Sequence, residues 1–208
     1  MHMDKEINNN GYDYVDLGLP SGTLWAMMNV GASKPSEFGK YFQWGDTKGY
    51  TKDQVGRSDG KKKFALDWSD YKFGASSKFT KYNAYGATLE LEDDAANANM
   101  GGDWHMPSPT QIQELIDNTT SEWTEQDDVK GRLFTSKKEM SKSIFIPAAG
   151  IAWEGSVKGS GDGGLIWTSM LNMGGVGNGQ ILGCCSDSVS LFCYVGRFDG
   201  LPIRGVIG

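Results

Sequence analysis

The residues in this chain best suited to chemistry are three cysteines, an acidic run and a histidine. Cys184, Cys185 and Cys193 fall within ten residues of one another. An odd count with an adjacent pair does not read as a disulfide framework, and a thiol metal site needs spaced ligands or further histidines. If Cys184 and Cys185 share a strand, their side chains leave from opposite faces and do not readily form a joint site. Glu92-Asp93-Asp94 offers oxygens that suit calcium, but carboxylates in a helical first turn are equally explained by the helix dipole. His105 follows Trp104 just ahead of a helix, where a structural role is expected. Asp162-Gly163-Gly164 lacks the other positions of a calcium loop and reads as a turn. The residues therefore point to no catalytic group, no metal and no cofactor.

The elements that would position these residues are short and turn-rich. The chain has 208 residues, enough for one domain with a sizeable core. Its 29 glycines are about twice the usual share, which argues against a helical bundle. A net charge of −6 and a pI near 4.9 argue against nucleic acid or an anionic membrane as partner. No apolar stretch is long enough for a membrane span, so direct membrane insertion is not expected. Residues 1–10 are expected as a flexible arm, with Met1-His2-Met3 having the look of a cloning remnant, and 11–208 as a single domain.

Strands are expected at 14–17, 23–26 and 41–44, followed by a long polar loop region over 45–86. One helix should open at Ser108, where Pro109 suits the first position and Gln111 completes a capping box. Ile112, Leu115 and Ile116 then form its apolar stripe, and Asn118 ends it. A second, weaker helix is expected near 92–99. Further strands should cover 132–136, 143–147, 165–169, 181–185, 189–194 and 202–206. Strands flanking one or two mid-chain helices give an α+β fold with a mostly antiparallel sheet.

Several blocks stand in order along the chain, from Tyr14-Val15-Asp16-Leu17-Gly18-Leu19-Pro20-Ser21-Gly22-Thr23-Leu24-Trp25-Ala26 through Trp44-Gly45-Asp46-Thr47 and Glu92-Asp93-Asp94-Ala95-Ala96. They continue with Gly101-Gly102-Asp103-Trp104-His105-Met106-Pro107, then Ser143-Ile144-Phe145-Ile146-Pro147, and close on Trp167-Thr168-Ser169, Arg197 and Ile203-Arg204-Gly205-Val206. In this order they resemble the FISUMP domain family of gut anaerobe surface proteins. His105, Met100 and Gly205 stand where the family often has Arg, Trp and Pro. The resemblance implies a C-type-lectin-like fold, shared with formylglycine-generating enzymes and with receptor-binding proteins diversified by retroelements. It also implies an extracellular, cell-surface or phage-particle location, in some members through a lipid anchor. The Glu-Pro-Asn, Gln-Pro-Asp and Trp-Asn-Asp motifs of calcium-dependent sugar-binding lectins do not occur here.

The tail carries a further signal. Residues 181–208 contain no Met, Trp, Gln, Glu or Lys, although residues 1–180 hold 47 of these five types. These five alone have no codon ending in a pyrimidine, so randomising the first two bases of Asn codons never produces them. A variable region over about 166–206 would leave this mark; strands that avoid Lys and Glu explain only part of it. Alternation turns Leu182, Cys184, Val189 and Leu191 inward. It turns Ile181, Gly183, Cys185, Asp187, Ser190, Phe192 and Tyr194 outward, flanked by Phe198, Asp199 and Leu201 on the final loop. An exposed face mixing aromatics with small polar residues suits a ligand surface; a second buried layer covered by 45–86 is the competing arrangement. The expected function is binding of a protein or glycan ligand on a cell or virus surface. An unvaried fimbrial-tip or surface-lipoprotein module and a formylglycine-generating-enzyme-like thiol enzyme are the alternatives.

Overall fold

In the computed structural model the described residues are 6–56, 63–74 and 78–208, with backbone alone for Glu6–Asn9 and 192–194. The chain closes on itself. Glu6–Asn9 (β1) and Tyr12–Asp16 (β2) form a hairpin around Asn10-Gly11, both at positive φ as a tight two-residue turn requires. Glu6–Asn9, within the stretch expected as an arm, is thus a paired strand. Leu24–Ala26 (β3) follows β2 and pairs in turn with Val206–Ile207 (β12), so the sheet order is β1-β2-β3-β12.

Among the described residues between these ends lie two short α-helices and three more sheets. Ala95–Met100 (α1) is capped by Asp94, whose Oδ1 accepts from the Asn97 amide. Pro109–Asn118 (α2) starts at the expected capping box: the Gln111 amide donates to Ser108 Oγ and the Ser108 amide to Gln111 Oε1. Ile112 and Leu115 are buried, while Ile116 is only half-buried. Thr119–Gln126 (β4), Val129–Ser136 (β5) and Ser143–Pro147 (β6) form one antiparallel sheet. Ile151–Trp153 (β7) and Ser156–Lys158 (β8) form a small hairpin. Gly164–Asn172 (β9), Gly175–Cys184 (β10) and Val189–Gly196 (β11) form the third sheet, with β10 in the middle.

The segment expected as a strand at 41–44 makes single bridges to two partners instead, Tyr41 to Tyr50 and Phe42 to Leu201. The following excursion carries little regular structure, as its composition suggests, yet it drives Tyr71, Phe73 and Tyr82 into the core. They pack there with Trp44, Trp104, Trp167 and Ile181, while Trp25, Ile112, Leu115, Phe134, Ile166 and Leu182 form a second cluster. The β9–β10–β11 sheet lies between the two.

Arg204 joins the ends to the middle. Fully buried, its guanidinium donates to Asn29 Oδ1, to the carbonyls of Ala26 and Met27, and to the Phe145 carbonyl on β6. Burial pulls it down to about 9, which leaves it charged at neutral pH. Beside it, Gly205 accommodates its neighbour's bulk: a Cβ there would meet Met100 Sδ at 2.8 Å.

Candidate binding surface

The β10–β11 hairpin pairs Ile181 with Phe192, Leu182 with Leu191, Gly183 with Ser190 and Cys184 with Val189. Leu182 and Cys184 are buried in the second cluster, and half-buried Val189 and Leu191 pack on it, so the inward face is as alternation requires. The opposite face is not open along its length. Ile181, expected outward, is 2% exposed and packs with Trp44, Tyr71, Phe73 and Tyr82. The excursion thus covers the sheet at the row formed by Trp167 and Ile181. Gly183 is buried too, but its row partners Leu165 and Ser190 are half-exposed. The cover therefore thins one row further along.

Two more expected surface residues are interior. Leu201 is fully buried in the first cluster, and its backbone exchanges both hydrogen bonds with Phe42, at 2.9 and 3.0 Å. Asp199 is 8% exposed, folded back so that its amide donates to the Gly196 carbonyl. Cys185 and Ser190 are half-exposed, Asp187 is exposed and Phe198 is half-exposed. The side chains of Phe192, Cys193 and Tyr194 lie outside the described residues. Because β11 has eight residues and a strand advances roughly 3.3 Å per residue, Cys185 and Asp187 sit at one end of the hairpin and Phe198 near the other. The expected single patch divides into a turn-end patch and a second centre around Phe198.

That second centre is an aromatic shelf. Phe198 lies against Trp68 with ring centroids 3.9 Å apart at 32°, and Trp68 meets Phe79 at 5.7 Å. All three rings are half-exposed. The shelf rests on a fixed polar frame. Gln43, itself buried, donates through Nε2 to the Phe198 carbonyl (2.7 Å), to Asp70 Oδ1 (3.0 Å) and to the Asp67 carbonyl (3.1 Å). Beneath it, Arg197 is fully buried, with its guanidinium carbon 4.3 Å from the Phe79 ring centroid. Its Nε donates to Tyr71 Oη (2.6 Å), Nη1 to the Tyr82 and Val176 carbonyls (3.0 and 3.1 Å) and Nη2 to the Lys81 carbonyl (3.2 Å). Burial raises the Tyr71 hydroxyl well above its usual range, so Tyr71 stays neutral: it accepts from Arg197 and donates to the Trp44 carbonyl. Trp68 and Phe79 were not among the sequence candidates, since isolated aromatics in a polar, turn-rich segment have no periodicity to mark them.

The other chemically capable groups are spoken for by local structure. Cys184 donates to the Gly164 carbonyl, and burial pushes its thiol up to about 12. Cys185 lies 3.3 Å from Ser188 Oγ in the turn, and that hydrogen bond leads the effects that lower its thiol. The acidic run is divided. Asp94 caps α1 and accepts from the Met106 amide, whereas Asp93, Glu90 and Glu92 surround the Lys81 ammonium at 2.6–2.8 Å. Asp93 also binds Lys72 at 2.7 Å. A lysine thus stands where a cation among these carboxylates would. His105 contacts the Met106 and Gly208 carbonyls through its two ring nitrogens, and its backbone bridges Val206.

Comparison of the chain with family models, with curated proteins and with solved structures returned no match.

Proposed function

We propose that this chain is a ligand-binding domain on a C-type-lectin-like scaffold, of the FISUMP type that its sequence resembles. Its contact surface would be the open part of the C-terminal hairpin together with the aromatic shelf. The observation that carries this reading is the shelf itself. Three half-exposed rings are held by Gln43 and, through Phe79, by buried Arg197, while most of the other large aromatics are committed to the core. Rigid, partly exposed aromatics are the side chains that dominate binding energetics, because they offer large contact area with little rotamer freedom left to lose. The scaffold assignment is supported by the way the N-terminal strands pair with β12 and enclose a long irregular excursion. The ligand would be a protein or glycan on a cell or virus surface, met outside the cell, on its surface or from a phage particle.

Binding is favoured over thiol catalysis because Cys184 faces the core and Cys185 lies in the turn beyond β10. In the diversified form of this reading, variation would be confined to solvent-facing tail positions such as Cys185, Asp187, Ser190 and Phe198. Ile181, Leu182, Arg197, Leu201 and Arg204 would be fixed by burial. Those buried residues inside the tail favour a second reading, an unvaried fimbrial-tip or surface-lipoprotein adhesion module. A displayed library randomised at 185, 187, 190 and 198 separates the two. Folded members that select different partners from a panel of purified glycans and cell-surface proteins support the diversified reading. A library that folds and yields no binder favours the unvaried module.

A further inference from the structure

Asp199 is the most weakly compensated polar group under the shelf. Its side chain is 8% exposed, and Oδ1 is buried with no hydrogen-bond partner. The charged group that acts on it is another carboxylate, Glu154, in the turn between β7 and β8, which repels a negative charge at Asp199. Among the described residues the surrounding elements bring no compensating cation, and a backbone hydrogen bond from Gly196 is what favours the ionised form. Gln43 is neutral and occupied by Phe198, Asp67 and Asp70. Asp70 is an acid, not a cation, and accepts from the Leu66 and Asp67 amides. Arg197, two residues away, is engaged by Tyr71 and three carbonyls. The main chain on either side is pinned: Phe198 is held by Gln43, Gly200 exchanges both backbone bonds with Ala152, and Leu201 does so with Phe42.

We propose that Asp199 is a proton-operated latch for the loop that presents Phe198: protonated, it seats the loop and the shelf; ionised, it loosens both. A neutral carboxyl can rest in this site, whereas a carboxylate would be a buried charge facing a like charge, with the Gly196 backbone hydrogen bond too little to offset its burial. Burial accordingly pushes the carboxyl up to about 7. The sign follows. A carboxyl raised from about 3.9 in the unfolded chain makes the folded state bind the extra proton. Its contribution to stability is therefore full below about pH 4, falls as pH rises and is gone above about pH 7. The latch itself stands independently of what the shelf binds; only its effect on affinity rests on the binding proposal.

The test is a set of melting curves between about pH 4 and pH 8.5 for the wild type, Asp199→Asn and Glu154→Gln. Asp199→Asn should match the wild type near pH 4 and melt several degrees higher near pH 8. Glu154→Gln, on the exposed turn, removes the repelling charge and so lowers the Asp199 carboxyl. The loss of stability with rising pH should become smaller and end at a lower pH than in the wild type, which reports on Asp199 even if the Asn variant folds poorly. A difference between Asp199→Asn and wild type that stays constant with pH, together with an unmoved profile in Glu154→Gln, would overturn the latch. If the melts behave as expected but a ligand found for the shelf binds equally at both ends of the range, the latch stands and the binding role of Phe198 fails.

Discussion

Replacing Arg197 by methionine is the sharpest test of how the shelf is held. The substitution keeps an unbranched stem among Trp44, Tyr71, Phe73 and Phe79 but removes four hydrogen bonds from a charged donor. Such bonds contribute about 1.5–3 kcal/mol each, a gross loss of roughly 6–12 kcal/mol. Against this stands the desolvation of a guanidinium whose hydrogen-bond partners are all uncharged, a cost of several kcal/mol that the variant no longer bears. The Tyr71 hydroxyl keeps its bond to Trp44, so the groups newly left without a partner are the carbonyls of Lys81, Tyr82 and Val176. The net expectation is a loss of about 3 kcal/mol, which for a chain this size lowers the melting temperature by roughly 6–12 °C. Thermal and urea unfolding followed by circular dichroism would measure it. Melting at or above the wild-type temperature would show that the buried cation is a burden and not a staple.

Other substitutions divide the tail by burial. Leu182→Ala and Ile181→Ala should both cost about 2–5 kcal/mol, because each leaves a cavity in a packed cluster; an innocuous Ile181→Ala would mean the excursion does not cover that face. In the native protein, a maleimide probe followed by mass mapping should modify Cys185 well before Cys184, since one thiol is half-exposed and lowered while the other is buried and raised. Equal labelling of the two would contradict the hairpin register.

Sequence periodicity made some elements legible and left others hidden for identifiable reasons. The capping box and stripe marked α2 nearly to the residue, and the apolar run at 143–147 marked β6. β4 escaped notice because Thr-Thr-Ser-Glu-Trp-Thr-Glu-Gln has no apolar alternation; it is held by its full ladder to β5, not by burial. Pairing at 41–44 was readable as extended chain but not as isolated bridges, since the partners Tyr50 and Leu201 are far apart in sequence. For the site, alternation correctly separated the two faces of β10. It could not show that aromatic side chains from the turn-rich excursion return to cover one of them. The apolar character of Ile181 on the supposed outer face was the available sign, because a strand buried on both faces loses its polar half.

The most direct test of the central claim is binding measured on glycan and cell-surface-protein arrays, with wild type beside Trp68→Ala, Phe198→Ala and the double variant. Truncating half-exposed rings should leave the fold intact by circular dichroism. Each single change should weaken binding to any ligand found by roughly tenfold or more, corresponding to about 2 kcal/mol for a central contact. Undiminished binding by a folded Trp68→Ala/Phe198→Ala double variant would contradict the account, because the ligand would then be held elsewhere on the domain.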